Sequence, residues 1–277
     1  MNASPTWKAP LLTLVALVLA AIYLFPLYWM YVTSFKNATE IFANPPTFWP
    51  VEPTIDAYPS VWTTRNVGSF MWNSVVIAVG VTGLSVLLGT GVAYALARYR
   101  NIWVDISLFL VLMLQVLPGA VMATPLFVAF NQIGLLELPR TAVVLAATAK
   151  AMPFYVVLVR ASFMTVPREL EEAALVDGSS RFGAFWRIVL PLARNGILVC
   201  AILIFMQAFG EFIFARSIIQ DADLQPASVG LASFVGPQSR DWNGIMAYAA
   251  MYVTPILAIF VLLQRRIVSG LTSGALK

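Results

Sequence analysis

Six long apolar runs constrain this chain more than any other feature. They lie at roughly 10–33, 71–97, 103–130, 141–160, 195–219 and 244–263. A helix needs about 20 apolar residues, at about 1.5 Å each, to cross the hydrocarbon of a bilayer, and each run meets or nearly meets that length. A spanning β-barrel would instead show alternating segments of about ten residues. With 60% hydrophobic and only 11% charged residues, an ordinary soluble domain is excluded. The fold class expected is an all-α membrane protein with six transmembrane helices.

Orientation follows from Lys and Arg, which concentrate in cytoplasmic loops. With the N-terminus inside, the cytoplasmic side holds Lys8, Arg98, Arg100, Arg160, Arg168, Arg181, Arg187, Arg194, Arg265, Arg266 and Lys277. The opposite side holds only Lys36, Arg65, Arg140 and Arg240. Both termini are therefore expected in the cytoplasm, with residues 1–9 before the first span and 264–277 after the last. The net charge of +4 reads as topology and gives no nucleic-acid signal. The first apolar run is longer than a signal-peptide core and lacks a small-residue cleavage site, so it is expected to stay as an anchor. One cysteine, Cys200, and no histidine rule out a disulfide framework and a His/Cys metal site.

Between the spans, residues 36–70 carry five prolines, which argue against a regular helix there. Phe48, Trp49 and Trp62 suit a membrane interface. Gly80, Gly83, Gly89 and Gly91 in the second span allow close helix approach. Pro118, Pro125, Pro153 and Pro255 are expected to bend their spans.

Residues 161–194 form a polar interruption between the fourth and fifth spans. Thr165 is expected to cap a helix that starts near Pro167 and stops at Gly178, where glycine accepts a left-handed backbone. Ser179 or Ser180 then caps a second short helix, which Leu190-Pro191 ends. Phe182, Phe185 and Trp186, at i, i+3 and i+4, form one apolar face outside the bilayer, and such a face needs a cover.

The spacing Glu172-Ala173-Ala174, three residues, Gly178, nine residues, Ile188-Val189-Leu190-Pro191 closely resembles the EAA loop of bacterial ABC-importer permeases. The likeness extends over nearly the whole chain and is greatest to the smaller permease type of carbohydrate importers such as the maltose system. Ala93–Arg98 looks like that family's exit from the second span, and Gln264–Gly274 like its C-terminus. The Asn44–Pro50 run followed by Asn73-Ser74 resembles the family's opening.

The resemblance implies a type I importer permease fold in the bacterial inner membrane. It further implies that Glu172, Ala173, Ala174, Gly178, Phe182, Phe185, Trp186, Ile188 and Pro191 couple to a separate ATPase. Gly270, Leu271, Thr272, Ser273 and Gly274 would form a second ATPase contact. The partners implied are a second permease subunit, an ATPase dimer, an exported solute-binding protein and membrane lipid. No GxxxxGK[ST] is present, so ATP and Mg belong to the ATPase, and no catalytic or metal residues are expected here. One departure stands at Ala208-Phe209-Gly210-Glu211, where the family often has Trp-Asn before the Glu.

Lys150, Glu211 and Arg216 fall inside predicted spans, where charges usually face a cavity or a partner. They are candidates for the translocation path, and Lys150 with Arg216 would favour an anionic sugar. Glu211 and Arg216 could instead pair with each other. Three other functions compete with a sugar importer: a secondary carrier, which would show inverted repeats; a membrane scaffold or insertion factor, for which the EAA spacing is unnecessary; and an ABC permease for a non-sugar solute. No repeat is evident.

Overall fold

The apolar runs fold as helices because a lipid-facing backbone must satisfy its own N–H and C=O groups. A computed structural model of the chain describes residues 8–99, 101–234 and 241–272, and every regular element among them is helical. In chain order these are α1 (Lys8–Ser34), α2 (Ala38–Ile41), α3 (Ala57–Thr64), α4 (Val67–Arg98), α5 (Ile102–Met113), α6 (Gly119–Gln132) and α7 (Pro139–Met164). There follow α8 (Arg168–Val176), α9 (Arg181–Ala184), α10 (Leu190–Phe209), α11 (Ile213–Ile218), α12 (Ala227–Phe234) and α13 (Trp242–Thr272). Among the described residues, five continuous helices are long and apolar enough to cross a membrane, or six if one sharply bent pair is taken as a single span.

That bent pair is the third apolar run. Its halves, Ile102–Val116 and Gly119–Gln132, meet at 94°. Leu117 and Pro118 are both extended, with ψ of 122° and 134°, because proline disfavours a helical residue before it and offers no N–H. The bend expected at Pro118 is thus a near right angle. At Pro125, Pro153 and Pro255 the helix runs on through the proline.

The chain divides into two units, Met1–Val67 with Leu231–Thr254, and Gly68–Gly230 with Pro255–Lys277. In the first, the proline-rich segment holds two short helices, so the expectation of no regular helix fails at α3. Pro59 lies in its first turn, where a missing N–H has no intrahelical partner to lose. Lys36, fully buried, donates to the Thr47 carbonyl and stands 4.8 Å over the Trp29 ring. Glu40 accepts from Thr47 Oγ1 at 2.5 Å and from the Val51 N–H at 3.0 Å. Asn243 on α13 donates to the carbonyls of Ser34 and Lys36.

In the second unit, α10 packs along α7, and α11 packs on α6 and α7. Gly89 on α4 lies against Tyr155 on α7; a Cβ there would fall 2.5 Å from a ring carbon, so only glycine permits this approach. Thr90 and Tyr155 share a hydroxyl hydrogen bond of 2.8 Å one residue along. Asn73 and Ser74 tie the start of α4 to the segment before α12. Asn73 donates to the carbonyls of Asp223 and Gln225 at 2.8 and 3.0 Å, and Ser74 accepts from the Ala227 N–H at 2.9 Å.

Candidate functional site

The loop between α7 and α10 is built from helix ends. Thr165 does not cap α8: its hydroxyl donates to the Ser162 carbonyl at 2.8 Å and finishes α7 instead, leaving Pro167 to lead into α8. The far end of α8 closes as a Schellman motif. Gly178 adopts φ +86°, its N–H bonds Leu175 O at 3.1 Å, and the Ser179 N–H bonds Ala174 O at 2.9 Å. Ser180 then caps α9 by accepting from the Gly183 N–H at 3.1 Å. The stop at Gly178 and the second cap at Ser180 are as expected.

The second helix does not end at Leu190-Pro191. It continues through a π-turn, Phe185–Val189, into α10, giving one apolar helical run over Arg181–Phe209. The Leu190 N–H reaches back five residues to Phe185 O. Pro191 sits in the first turn of α10, where the wider π-turn absorbs its missing donor.

The aromatic face also divides. Phe182 and Trp186 stack at 6.3 Å with 17° between their rings, and remain 74% and 60% exposed. Phe185 turns inward against Tyr94 at 4.6 Å and Phe163 at 6.2 Å. Glu172 and Ala173 are exposed, Ala174 is buried, and Ile188 is half-buried. A groove of about 650 Å³ runs beside them, lined by Tyr94, Arg98, Glu171, Glu172, Arg181 and Phe182 among others.

A group not singled out as a site from sequence lies under the loop. Arg98 Nε donates to Glu171 Oε2 at 2.8 Å, and the two side chains are only 15% and 14% exposed. Tyr94 donates its hydroxyl to Glu171 Oε1. Nothing local in the sequence points from Glu171 to a partner 73 residues earlier.

The expected tail contact lies at the end of α13, which takes in Gly270, Leu271 and Thr272; Ser273 and Gly274 fall outside the described residues.

The three charges of the spans are only partly gathered. Lys150 Nζ stands 6.0 Å from the Phe214 ring and close to Gly119 at the bend of the third run. Lys150 and Glu211 form no ion pair within 4.0 Å. Glu211 caps α11, its Oε1 accepting from the Phe214 N–H at 2.8 Å. Arg216 is exposed on the last turn of α11 and does not pair with Glu211.

Comparison with known proteins agrees with the pattern of this loop. The family model for the binding-protein-dependent transport system inner membrane component matches residues 85–273. The sulfoquinovosyl glycerol transport system permease protein SmoH of Agrobacterium fabrum is 32% identical over 97% of this chain and 94% of its own length. The trehalose/maltose transport system permease protein MalG of Thermococcus litoralis is 31% identical over 98% of this chain and 97% of its own. The diacetylchitobiose uptake system permease protein DasC of Streptomyces coelicolor is 30% identical over 95% of each. Among solved structures, a chain of a bacterial ABC transporter that imports the acidic polysaccharide alginate has the same fold. Its TM-score is 0.79 at 18% identity, over 96% of this chain and 99% of that one. The six apolar runs, the EAA spacing and these likenesses converge: this chain belongs to the family of binding-protein-dependent transport system inner membrane components, the permease subunits of ABC importers.

Proposed function

We propose that the chain forms half of the translocation pore of an ATP-driven importer of a sugar or sugar derivative. The observation that carries this is the stacked, exposed Phe182–Trp186 pair, set by the Gly178 turn beside the exposed Glu172. An apolar pair on a short, well-capped polar loop suits a cleft in a partner ATPase, where a buried aromatic anchor contributes most of the binding energy. Glu172 pairs with a basic residue of that ATPase, and Gly270 to Gly274 add a second contact. Residues 161–194 are then cytoplasmic, as are both termini.

ATP and Mg reside on the ATPase dimer, and an exported binding protein delivers the solute. A second permease subunit completes the pore. ATP-driven closure of the ATPases moves the docked loops and opens the spans toward the binding protein. The most apolar stretch of α1 buries nothing within this chain, which suits cover by lipid or by the second permease.

A carbohydrate solute is supported by relatives named for sulfoquinovosyl glycerol, diacetylchitobiose and trehalose/maltose transport. Lys150, Glu211 and Arg216 stand as the path charges. Lys150 and Arg216 are the attractors for an anionic sugar, and Arg216, exposed on the last turn of α11, is the more accessible of the two. Competition uptake with Arg216→Gln tests this: selective loss of anionic sugars is expected, and equal loss for neutral ones refutes it.

The reading as a whole is tested by purifying the chain from native membranes in mild detergent. Recovery of a second permease and a P-loop ATPase is expected. A chain that purifies alone and still mediates uptake after reconstitution is a carrier, and the proposal fails.

A further inference from the structure

We infer that Tyr94, Arg98 and Glu171 form a latch that makes α4 a third element driven by the coupling loop. The inference rests on the importer reading above. The loop is covalently continuous with only two spans, α7 before it and α10 after it. Helix α4 ends 73 residues before Glu171 and can follow the loop only through side chains.

One turn of α4 supplies those side chains. Tyr94 and Arg98, four residues apart, share a helix face and point to the same place. Arg98 uses its planar fork on two loop acceptors, Nε to Glu171 Oε2 at 2.8 Å and Nη1 to the Val166 carbonyl at 3.4 Å. Its own carbonyl accepts from Arg168 Nη2 at 2.6 Å. Tyr94 donates to the other Glu171 oxygen, and its ring packs on Phe185 and Phe163 at 4.6 and 5.7 Å. The start of α8, its middle and the second helix are thus all held by one turn of α4.

The chemistry suits a strut more than a stability device. A largely desolvated ion pair gains little net free energy over an apolar pair of similar shape, but it tolerates few geometries. Lysine cannot replace the guanidinium fork that serves two acceptors in different directions. With the latch closed, a displacement of α8 by an ATPase carries α4 along. With it open, α8 can tilt while α4 stays, and ATP is hydrolysed without solute movement.

The experiment is to measure solute imported per ATP hydrolysed in proteoliposomes holding the whole importer. For Glu171→Gln and for Arg98→Lys, the ATPase is expected to co-purify as in wild type while the ratio falls about tenfold, a typical coupling free energy between sites. Tyr94→Phe, which deletes one hydroxyl and keeps the ring packing, is expected to lower it about threefold. The exchanged pair Arg98→Glu with Glu171→Arg is expected to recover part of the ratio. Loss of ATPase from the Glu171→Gln assembly would make the residue a docking contact and overturn the latch. So would an unchanged ratio in all three single variants while the assembly still imports. A wild-type assembly with no ATP-driven uptake would overturn the importer reading, and the latch with it.

Discussion

Two polar interruptions in this chain each enclose a carboxylate and exposed aromatics, and they hold them in opposite ways. In the proline-rich segment, Glu40 is satisfied by Thr47 and Val51, no more than 11 residues away in sequence. In the coupling loop, Glu171 is tied to Tyr94 and Arg98, 77 and 73 residues away. The first acid folds its own loop; the second fastens its loop to a membrane span. Under the coupling role proposed above, the second loop is attached to what it moves, whereas a loop that only presents a surface can be closed on itself. The exposed aromatics divide less cleanly. Trp49 projects from the self-bonded loop while Phe48 beside it meets Trp29 of α1 edge-on at 5.9 Å, and Phe182 and Trp186 project from a loop clamped to its scaffold through Phe185.

The sharpest way to break this comparison is to remove the exposed pair from the clamped loop. Phe182→Ala with Trp186→Ala is expected to weaken ATPase binding about a thousandfold, since two aromatic anchors at about 2 kcal/mol each remove about 4 kcal/mol, and co-purification should be lost. The folded permease should be recovered in normal amount. The equivalent loss of Phe48 and Trp49 should leave ATPase recovery unchanged.

Next in size is Gly178→Val, which forces a β-branched residue to φ +86°. A left-handed backbone costs an L-residue about 1–2 kcal/mol, so uptake should fall roughly tenfold while the permease stays folded. Gly178→Asn, which tolerates that conformation, should recover most of the uptake.

The smallest effects belong to the self-bonded loop. Thr47→Val removes the hydroxyl that Glu40 accepts from and should raise amide exchange at Val51 severalfold, a local opening. Uptake per ATP should not change. The Thr47 hydrogen bond, against the opposing effect of burial, holds the Glu40 carboxyl below its ordinary value of 4.5. A depressed carboxyl contributes stability that is fully present above that ordinary value and is lost as the pH falls through the lower folded value. Val51 protection, corrected for the intrinsic effect of pH on exchange, should therefore hold at neutral pH and fall only below about pH 4.5. Thr47→Val should move that fall to higher pH. A fall at neutral pH would show that Glu40 is not the loop's closing group.

Much of the loop was legible because its signals are local. Gly178 and Ser180 work within one helical turn, so their roles follow from spacing alone. Thr165 was misplaced because the ends of two helices lie within three residues of each other, and a hydroxyl there can serve either. Leu190-Pro191 looked like a stop because proline usually is one. The π-turn that lets the helix pass has no pattern of its own in the residues. Phe182, Phe185 and Trp186 share spacing and polarity, and only the position of Tyr94 and Phe163 decides which of the three is buried.

The sequence by itself determined the membrane class, the apolar helices, the turn at Gly178 and the family to which the chain belongs. Each depends on composition or on spacing within a few helical turns, and local physics suffices for these. The tertiary structure alone decided that Glu171 meets Arg98, that Lys150 and Glu211 make no ion pair, and that the third run folds through 94°. Those outcomes depend on which helix faces meet across tens of residues. Helical periodicity says which residues share a face, but only packing selects the face they meet.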